Sequence, residues 1–312
     1  MTRPPSAALV GSLCYLACSL FWGLNIPLSS ALLRSFDPFW LPTSRYLIAA
    51  AALGAWVAVT LGPRQLRSPI PLSRIAGLSL LVSGFLLLFN LGLLHTHPVT
   101  AAAVIAGSPV YVAVVMRAMT GARLAPGFWT ATALTLVGAG IAVYGRIEAG
   151  GGGAGLRLQG GEAFLVGSIA CWTVYSILAQ RWFRPDVPQL RRTWLTSLGA
   201  IPCLLAAWGA ARAAGLAPAP NLSPDAGTLA SLVVSAVVCT ALATVAWNTG
   251  VARLGIAAGG MWQNTIPVFA VLISLVGYGV VPTASQVLGG AVVLVGVAWM
   301  QWRSLRVAAA PA

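Results

Sequence analysis

The chain has 312 residues, 58% of them hydrophobic and only 7% charged. A soluble domain carries about 25% charged residues, so this chain lacks the polar surface to cover itself in water, and a soluble globular fold is excluded. Its net charge of +13 rests on 18 basic residues, all arginine, scattered singly or in pairs between apolar runs. Nucleic-acid binding, which gathers positive charge on a polar domain, is excluded by that scatter, and a retinal-type Schiff base by the absence of lysine.

Apolar runs of bilayer-crossing length recur along the whole chain. Arg3 is followed by an apolar stretch at 7–33, too long for a cleaved signal, which reads as a retained first helix. The pattern predicts helices at 9–33, 39–61, 72–94, 100–119 and 126–145. A linker at 150–160 follows, holding four glycines at 150–153. Further helices are predicted at 161–182, 193–211, 228–251, 256–280 and 283–302. Breaks are marked by Gly62, Pro63, Pro69, Pro71, Pro98, Pro185, Pro188, Pro218, Pro220 and Pro282. The expected fold is all-α and integral to the membrane, with ten transmembrane helices. Residues 1–149 form one five-helix unit, 150–160 the linker and 161–312 the second unit.

Thirteen arginines fall on the side of the N-terminus in this topology and four on the other, with Arg45 inside the second helix. The positive-inside rule then places both termini in the cytoplasm. Cys14, Cys18, Cys171, Cys203 and Cys239 all lie inside apolar runs, without the spacing of a disulfide framework or metal site.

The two halves align. At a shift of 150 residues Trp22 meets Trp172, Arg34 meets Arg184 and Pro38 meets Pro188. Further on the shift is 158, and Asn90 meets Asn248, Pro109 meets Pro267, Gly121 meets Gly279, and Leu136-Val137-Gly138 meets Leu294-Val295-Gly296. A repeat of five helices is odd-numbered, so the second must enter from the opposite face. This is the inverted-repeat plan of secondary transporters, whose substrate site lies near the midplane between repeats. The expected function is therefore transport of a small molecule by alternating access, with no cofactor.

Several motifs resemble the EamA family of the drug/metabolite transporter superfamily. They are Phe21-Trp22-Gly23-Leu24-Asn25, Arg45-Tyr46-Leu47, Trp247-Asn248-Thr249-Gly250-Val251-Ala252-Arg253-Leu254-Gly255, Pro267-Val268, and Gly289 with Leu294-Val295-Gly296. The resemblance covers nearly the whole chain. It implies ten helices, cytoplasmic termini and transport or export of metabolites across the inner membrane, amino acids and related compounds among them. Members often carry Gly-Glu after the fourth and ninth helices, where this chain reads Gly121-Ala122 and Gly279-Val280. Roles of those carboxylates do not carry over.

Polar groups within the membrane must find partners, so they mark candidate sites. Asn90 and Asn248 suit either amide recognition of substrate or a bond between helices. Arg45 suits a substrate carboxylate, an ion pair with Asp37, or snorkelling to the outer interface. Trp22, Asn25, Trp172 and Tyr175 lie on the first helix of each half and suit an amphipathic ligand or ordinary packing. Trp262, Gln263 and Asn264 cluster before Pro267, where a kink would free carbonyls toward a cavity. Tyr111, near Pro109, completes the set; Ser108 has no hydroxyl counterpart, since Ile266 matches it.

His95 and His97 read as an outer solvated loop, without a third metal ligand. Glu162 opens the sixth helix, where a negative charge is favoured, and Asp37, Glu148, Asp186 and Asp225 are in loops, so no carboxylate lies mid-membrane. Proton-driven carriers usually bury one, which points to a facilitator or exchanger, or to proton coupling only through histidine or an interfacial carboxylate. A lipid-headgroup enzyme lacks acids, bases or a metal cluster, and a channel lacks a charge ring or filter; these are the competing readings, and no enzyme activity is expected. Small-residue patterns at Gly255/Gly259 and Gly138/Ala142 serve either packing within the chain or a homodimer through the fifth and tenth helices.

Overall fold

The computed structural model describes residues 5–96, 98–124, 127–149 and 158–309. Most of the glycine-rich linker, together with His97, Arg3 and Arg157, lies outside the described residues. The described chain runs as α1 Pro5–Leu32, α2 Trp40–Thr60, α3 Leu72–Leu94, α4 Pro98–Ala106, α5 Ser108–Thr120 and α6 Phe128–Ala149. Then follow α7 Glu162–Trp182, α8 Gln189–Ala213, α9 Ala226–Ala236, α10 Ala243–Leu254, α11 Ile256–Gln263, α12 Ile266–Tyr278 and α13 Ala284–Ala309. Among the described residues there is no β-strand. A π-helical turn, Val237–Leu242, joins α9 to α10 without breaking the helix.

Seven helical stretches are long and apolar enough to cross a membrane, and eight if the bent pair α4–α5 is one span. Two shorter apolar helices, Phe128–Tyr144 and Ala284–Met300, accompany them. The faces are patterned for lipid. On α1, Leu9, Leu13, Leu16 and Leu20 form an exposed apolar stripe at i, i+4, i+7 and i+11. The opposite face buries Tyr15, Cys18 and Ser19. Hydroxyls are buried on several other helices too, among them Thr43, Ser79, Thr135, Ser176 and Thr193. Four of these five return a hydrogen bond to the preceding turn, as Thr43 does to Phe39 O, whereas Ser79 donates across to Thr196 O on α8.

Two helices expected to be continuous are broken. The stretch expected at 100–119 bends by 45° between α4 and α5. The stretch expected at 256–280 divides at Asn264 and Thr265 into α11 and α12. Proline explains both. Pro109 and Pro267 lack an amide hydrogen, and each sits in the first turn of a new helix rather than mid-helix. Each second piece also ends alike: Gly121 and Gly279 cap α5 and α12 with φ of +64° and +66°, a conformation costly for any residue with a Cβ.

The halves interleave rather than stand side by side. α1 packs on α10 and α12, α3 on α7 and α8, α2 on α8, and α5 on α11. α6 packs along α13, where Gly138 lets the backbones meet: a methyl there would stand 2.5 Å from Gly289 O. The same glycine face holds Ala142 against Gly289. The small-residue pattern at 138 and 142 is thus used within the chain. At the other pattern, Gly259 lies against Trp247 and Tyr15.

Helix starts use the acids. Asp37 Oδ1 accepts from the amides of Phe39 and Trp40, both at 2.9 Å. Glu162 accepts from the amides of Gln159 and Gly160. Asp225 caps α9, where the Thr228 hydroxyl and amide hold its carboxyl below the usual range.

Candidate functional site

Ser19, Trp22 and Asn25 recur every three residues on α1, so they stack along about 9 Å of helix axis. They organise the centre of the bundle on three levels. At the first, Ser19 Oγ donates to Trp262 O at 3.0 Å, which ties α1 to the end of α11. At the second, the Trp22 ring lies 5.7 Å from Trp172 and 5.5 Å from Trp247. Trp172 is in turn 5.1 Å from Tyr175, 5.0 Å from Phe85 and 5.8 Å from Trp247. Rings from α1, α3, α7 and α10 therefore make one aromatic cluster, with the tilted and edge geometries that ring quadrupoles favour. At the third, Asn25 Oδ1 accepts from Ser235 Oγ at 2.7 Å and from Arg45 Nη1 at 3.3 Å.

Arg45 thus turns inward onto α1. It neither pairs with Asp37, whose carboxylate is taken by the start of α2, nor lies free at the interface. Its Nε is buried without a hydrogen-bond partner. The same holds for Trp172 Nε1, Trp262 Nε1, Asn264 Nδ2, Asn248 Oδ1 and Ser108 Oγ. A buried polar atom left unmade costs about 1–3 kcal/mol; further ones, Arg191 Nε, Trp208 Nε1 and Trp299 Nε1, lie on α8 and α13.

The remaining candidates divide. Asn90 Nδ2 donates to Pro38 O at 2.9 Å, holding α3 to the α1–α2 turn. Asn248 Nδ2 donates to Tyr175 Oη at 3.0 Å and Thr193 Oγ1 at 2.9 Å, which joins α10, α7 and α8. Both amides tie helices together. Tyr175 is fully buried, beneath Trp172 and bonded to that network. Tyr111 is half-buried against the core beside Gly107, at the α4–α5 break. Gln263 is half-buried at the last position of α11. Of the carbonyls beside the break, Trp262 O takes Ser19 Oγ and Thr265 Oγ1.

Three residues outside the candidate set also matter. Trp247 is 1% exposed at the heart of the aromatic cluster, its Nε1 donating to Ser176 Oγ at 2.9 Å. Its place in the Trp-Asn-Thr-Gly motif was the available signal. Ser235 bonds Asn25 from the turn before the π segment, and nothing in its sequence context marks it. Arg192 is 3% exposed. Its guanidinium donates to Val187 O at 2.9 Å, Arg184 O at 2.7 Å and Gln180 Oε1 at 3.1 Å, over the Phe183 ring. The single salt bridge among the described residues is the exposed Arg184–Asp186 pair. Among them also, no three His, Cys, Asp or Glu side chains gather as a metal site would need.

The EamA-like transporter family model matches residues 9–144 and again 159–302. The chain belongs to the EamA-like transporter family. Two similar proteins are each 25% identical to this EamA-like chain. One is an uncharacterized transporter, YyaM, of Bacillus subtilis (strain 168), aligned over 90% of each chain. The other is a probable terminal-alkyne amino-acid exporter of Streptantibioticus cattleyicolor, aligned over 91% of each. A solved crystal structure shares the fold at a TM-score of 0.77 and 20% identity, covering 98% of this chain and 99% of its own. With its apolar helices and family, this is a multi-pass membrane protein that handles a small-molecule substrate.

Proposed function

We propose that this EamA-like protein is a secondary transporter that exports a small amphipathic metabolite, an amino acid or a similar compound, across the inner membrane. Its ten spans form two inverted five-helix repeats, 1–149 and 161–312, and both termini are cytoplasmic. Substrate binds between the repeats, and their rocking exposes it alternately to each side. The carrying observation is the contact of Trp22 with Trp172, residues equivalent in the two halves and 5.7 Å apart at the centre. The packing pairs support the same reading, because exchanging the halves returns several of them: α3–α7 becomes α1–α10 and α5–α7 becomes α1–α12, while α2–α8 and α6–α13 map onto themselves. The two broken helices and their left-handed glycine caps correspond in the same way. The relative named as an amino-acid exporter supports the substrate class.

Counterflow in proteoliposomes tests this. Vesicles loaded with unlabelled amino acid should take up labelled compound faster than empty ones. Flux indifferent to the trans compound points to a channel and removes the alternating-access reading. Trp22→Ala, Asn25→Ala and Gln263→Ala should each weaken transport, and normal transport by all three displaces the site from this region.

A further inference from the structure

Resting on that reading and narrowing it from free amino acids to similar compounds whose amine is blocked or absent, we infer that the cargo is an amphipathic organic anion, a carboxylate with no compensating ammonium, so that the membrane potential itself drives its expulsion. The donors carry the argument. Arg45 Nε, Trp172 Nε1, Trp262 Nε1 and Asn264 Nδ2 are buried without partners. Trp172 and Asn264 are only 4% and 6% exposed. Indole and guanidinium nitrogens donate and do not accept, so an acceptor must complete them. A carboxylate offers acceptors alone, and an ammonium offers donors alone. Against these donors stands one partnerless acceptor, the neutral Asn248 Oδ1, with the Ser108 hydroxyl able to donate or accept.

The charges agree. Asp37, Glu162 and Asp225 are each engaged at a helix start, and Asp186 pairs with exposed Arg184. Among acids with described side chains, none is left to receive an ammonium, whereas Arg45 is held by one neutral amide. The stack on α1 sets the orientation. A carboxylate at the Arg45 and Asn25 level lays its apolar body along Trp22 and Trp172, one turn away. Completing Arg45 with an anion makes a charge-assisted pair in a dry site, where such a pair is strongest.

This assignment also supplies the driving force. A carrier cycle that moves one monoanion outward moves one negative charge, and an inside-negative potential favours that movement. A carboxylate for proton coupling is then unnecessary. At equilibrium about 59 mV holds a tenfold gradient of a monovalent ion.

The test uses phenylalanine, leucine and propargylglycine, each as the N-acetyl carboxylate, the free zwitterion and the carboxamide cation. Thermal shift of the detergent-purified full chain ranks binding. Flux in proteoliposomes is then read at potentials set with potassium and valinomycin. Within the best body, the N-acetyl carboxylate should bind at least tenfold more tightly than the zwitterion, and the carboxamide weakest. Its accumulation should change about tenfold per 59 mV. Arg45→Gln should remove that charge preference, with Arg45→Lys restoring part of it. Preference for the zwitterion or the cation, flux blind to potential, or an Arg45→Gln protein that keeps the preference overturns the inference and leaves the transporter reading standing. Failure of all nine compounds to bind or move overturns both.

Discussion

Arg45 and Arg192 lie in the second helix of each half, α2 and α8, and both point into the protein without an acidic partner. Arg192 is saturated. Its guanidinium closes the last carbonyls of α7 and the turn beyond, at Arg184 and Val187, and rests on Phe183. A cation at a helix C-terminus also meets the negative end of the helix dipole. Arg45 has one long bond to Asn25 and a buried Nε with nothing to donate to. The same side chain is thus a structural brace in one half and an unfinished contact in the other. Burial alone separates them poorly; the count of unmet donors separates them cleanly.

Replacing each arginine tests the contrast, and the largest effect on stability belongs to Arg192. Arg192→Met strands buried carbonyls and should cost about 3 kcal/mol or more, which lowers the thermal midpoint in detergent by roughly 5–10 °C. Asn248→Ala, in a second buried network, strips a donor from Tyr175 and Thr193 and should cost about 1–2 kcal/mol, measured in the same assay. Arg45→Met should leave the midpoint unchanged or raised, because it removes an incomplete polar group, while transport falls about a hundredfold. A midpoint that drops as far as that of Arg192→Met ends the distinction between brace and site.

The smallest effect comes from Asp225, far from both. Its carboxyl is held below the usual range by the Thr228 hydroxyl and amide. Its contribution is therefore complete above the unfolded carboxyl value of about 3.9 and fades as pH falls through the lower folded value. Asp225→Ala should lower the midpoint at neutral pH by only about 1–3 °C. The gap from wild type should close in strong acid.

Much of this was legible in the chain itself because hydrophobicity in a membrane protein is a nearly continuous signal. The family, the apolar helices and the pairing of Trp22 with Trp172 came from runs, spacing and rare residues. The breaks at Gly107 and at Asn264 were not separated from simple kinks. Pro109 and Pro267 mark both outcomes equally, and local packing decides between them. The site was half legible. Asn90 and Asn248 turned out to bond between helices, and that depends on which neighbour each helix acquires. Ser235 and the π turn beside it left no trace, since an extra residue in one helical turn changes no pattern in composition. In the sequence, Arg192 is one more positive charge at the cytoplasmic edge. Its role depends on the direction its side chain takes, which charge counting does not reveal.

The interleaving of the halves also has a consequence for synthesis. Tyr15 on α1 donates its hydroxyl to Gly255 O, 240 residues away. At ribosomal rates of about 5–20 residues per second, the acceptor is made roughly 10–50 s after the donor. Throughout that interval α1 has neither α10 nor α12 to lie against, and Ser19 and Asn25 face lipid or borrowed company. The chain must enter the bilayer as a set of unmated helices and close only near the end of translation. An insertase or chaperone that shields α1 during that wait would act on the face that later holds the aromatic cluster.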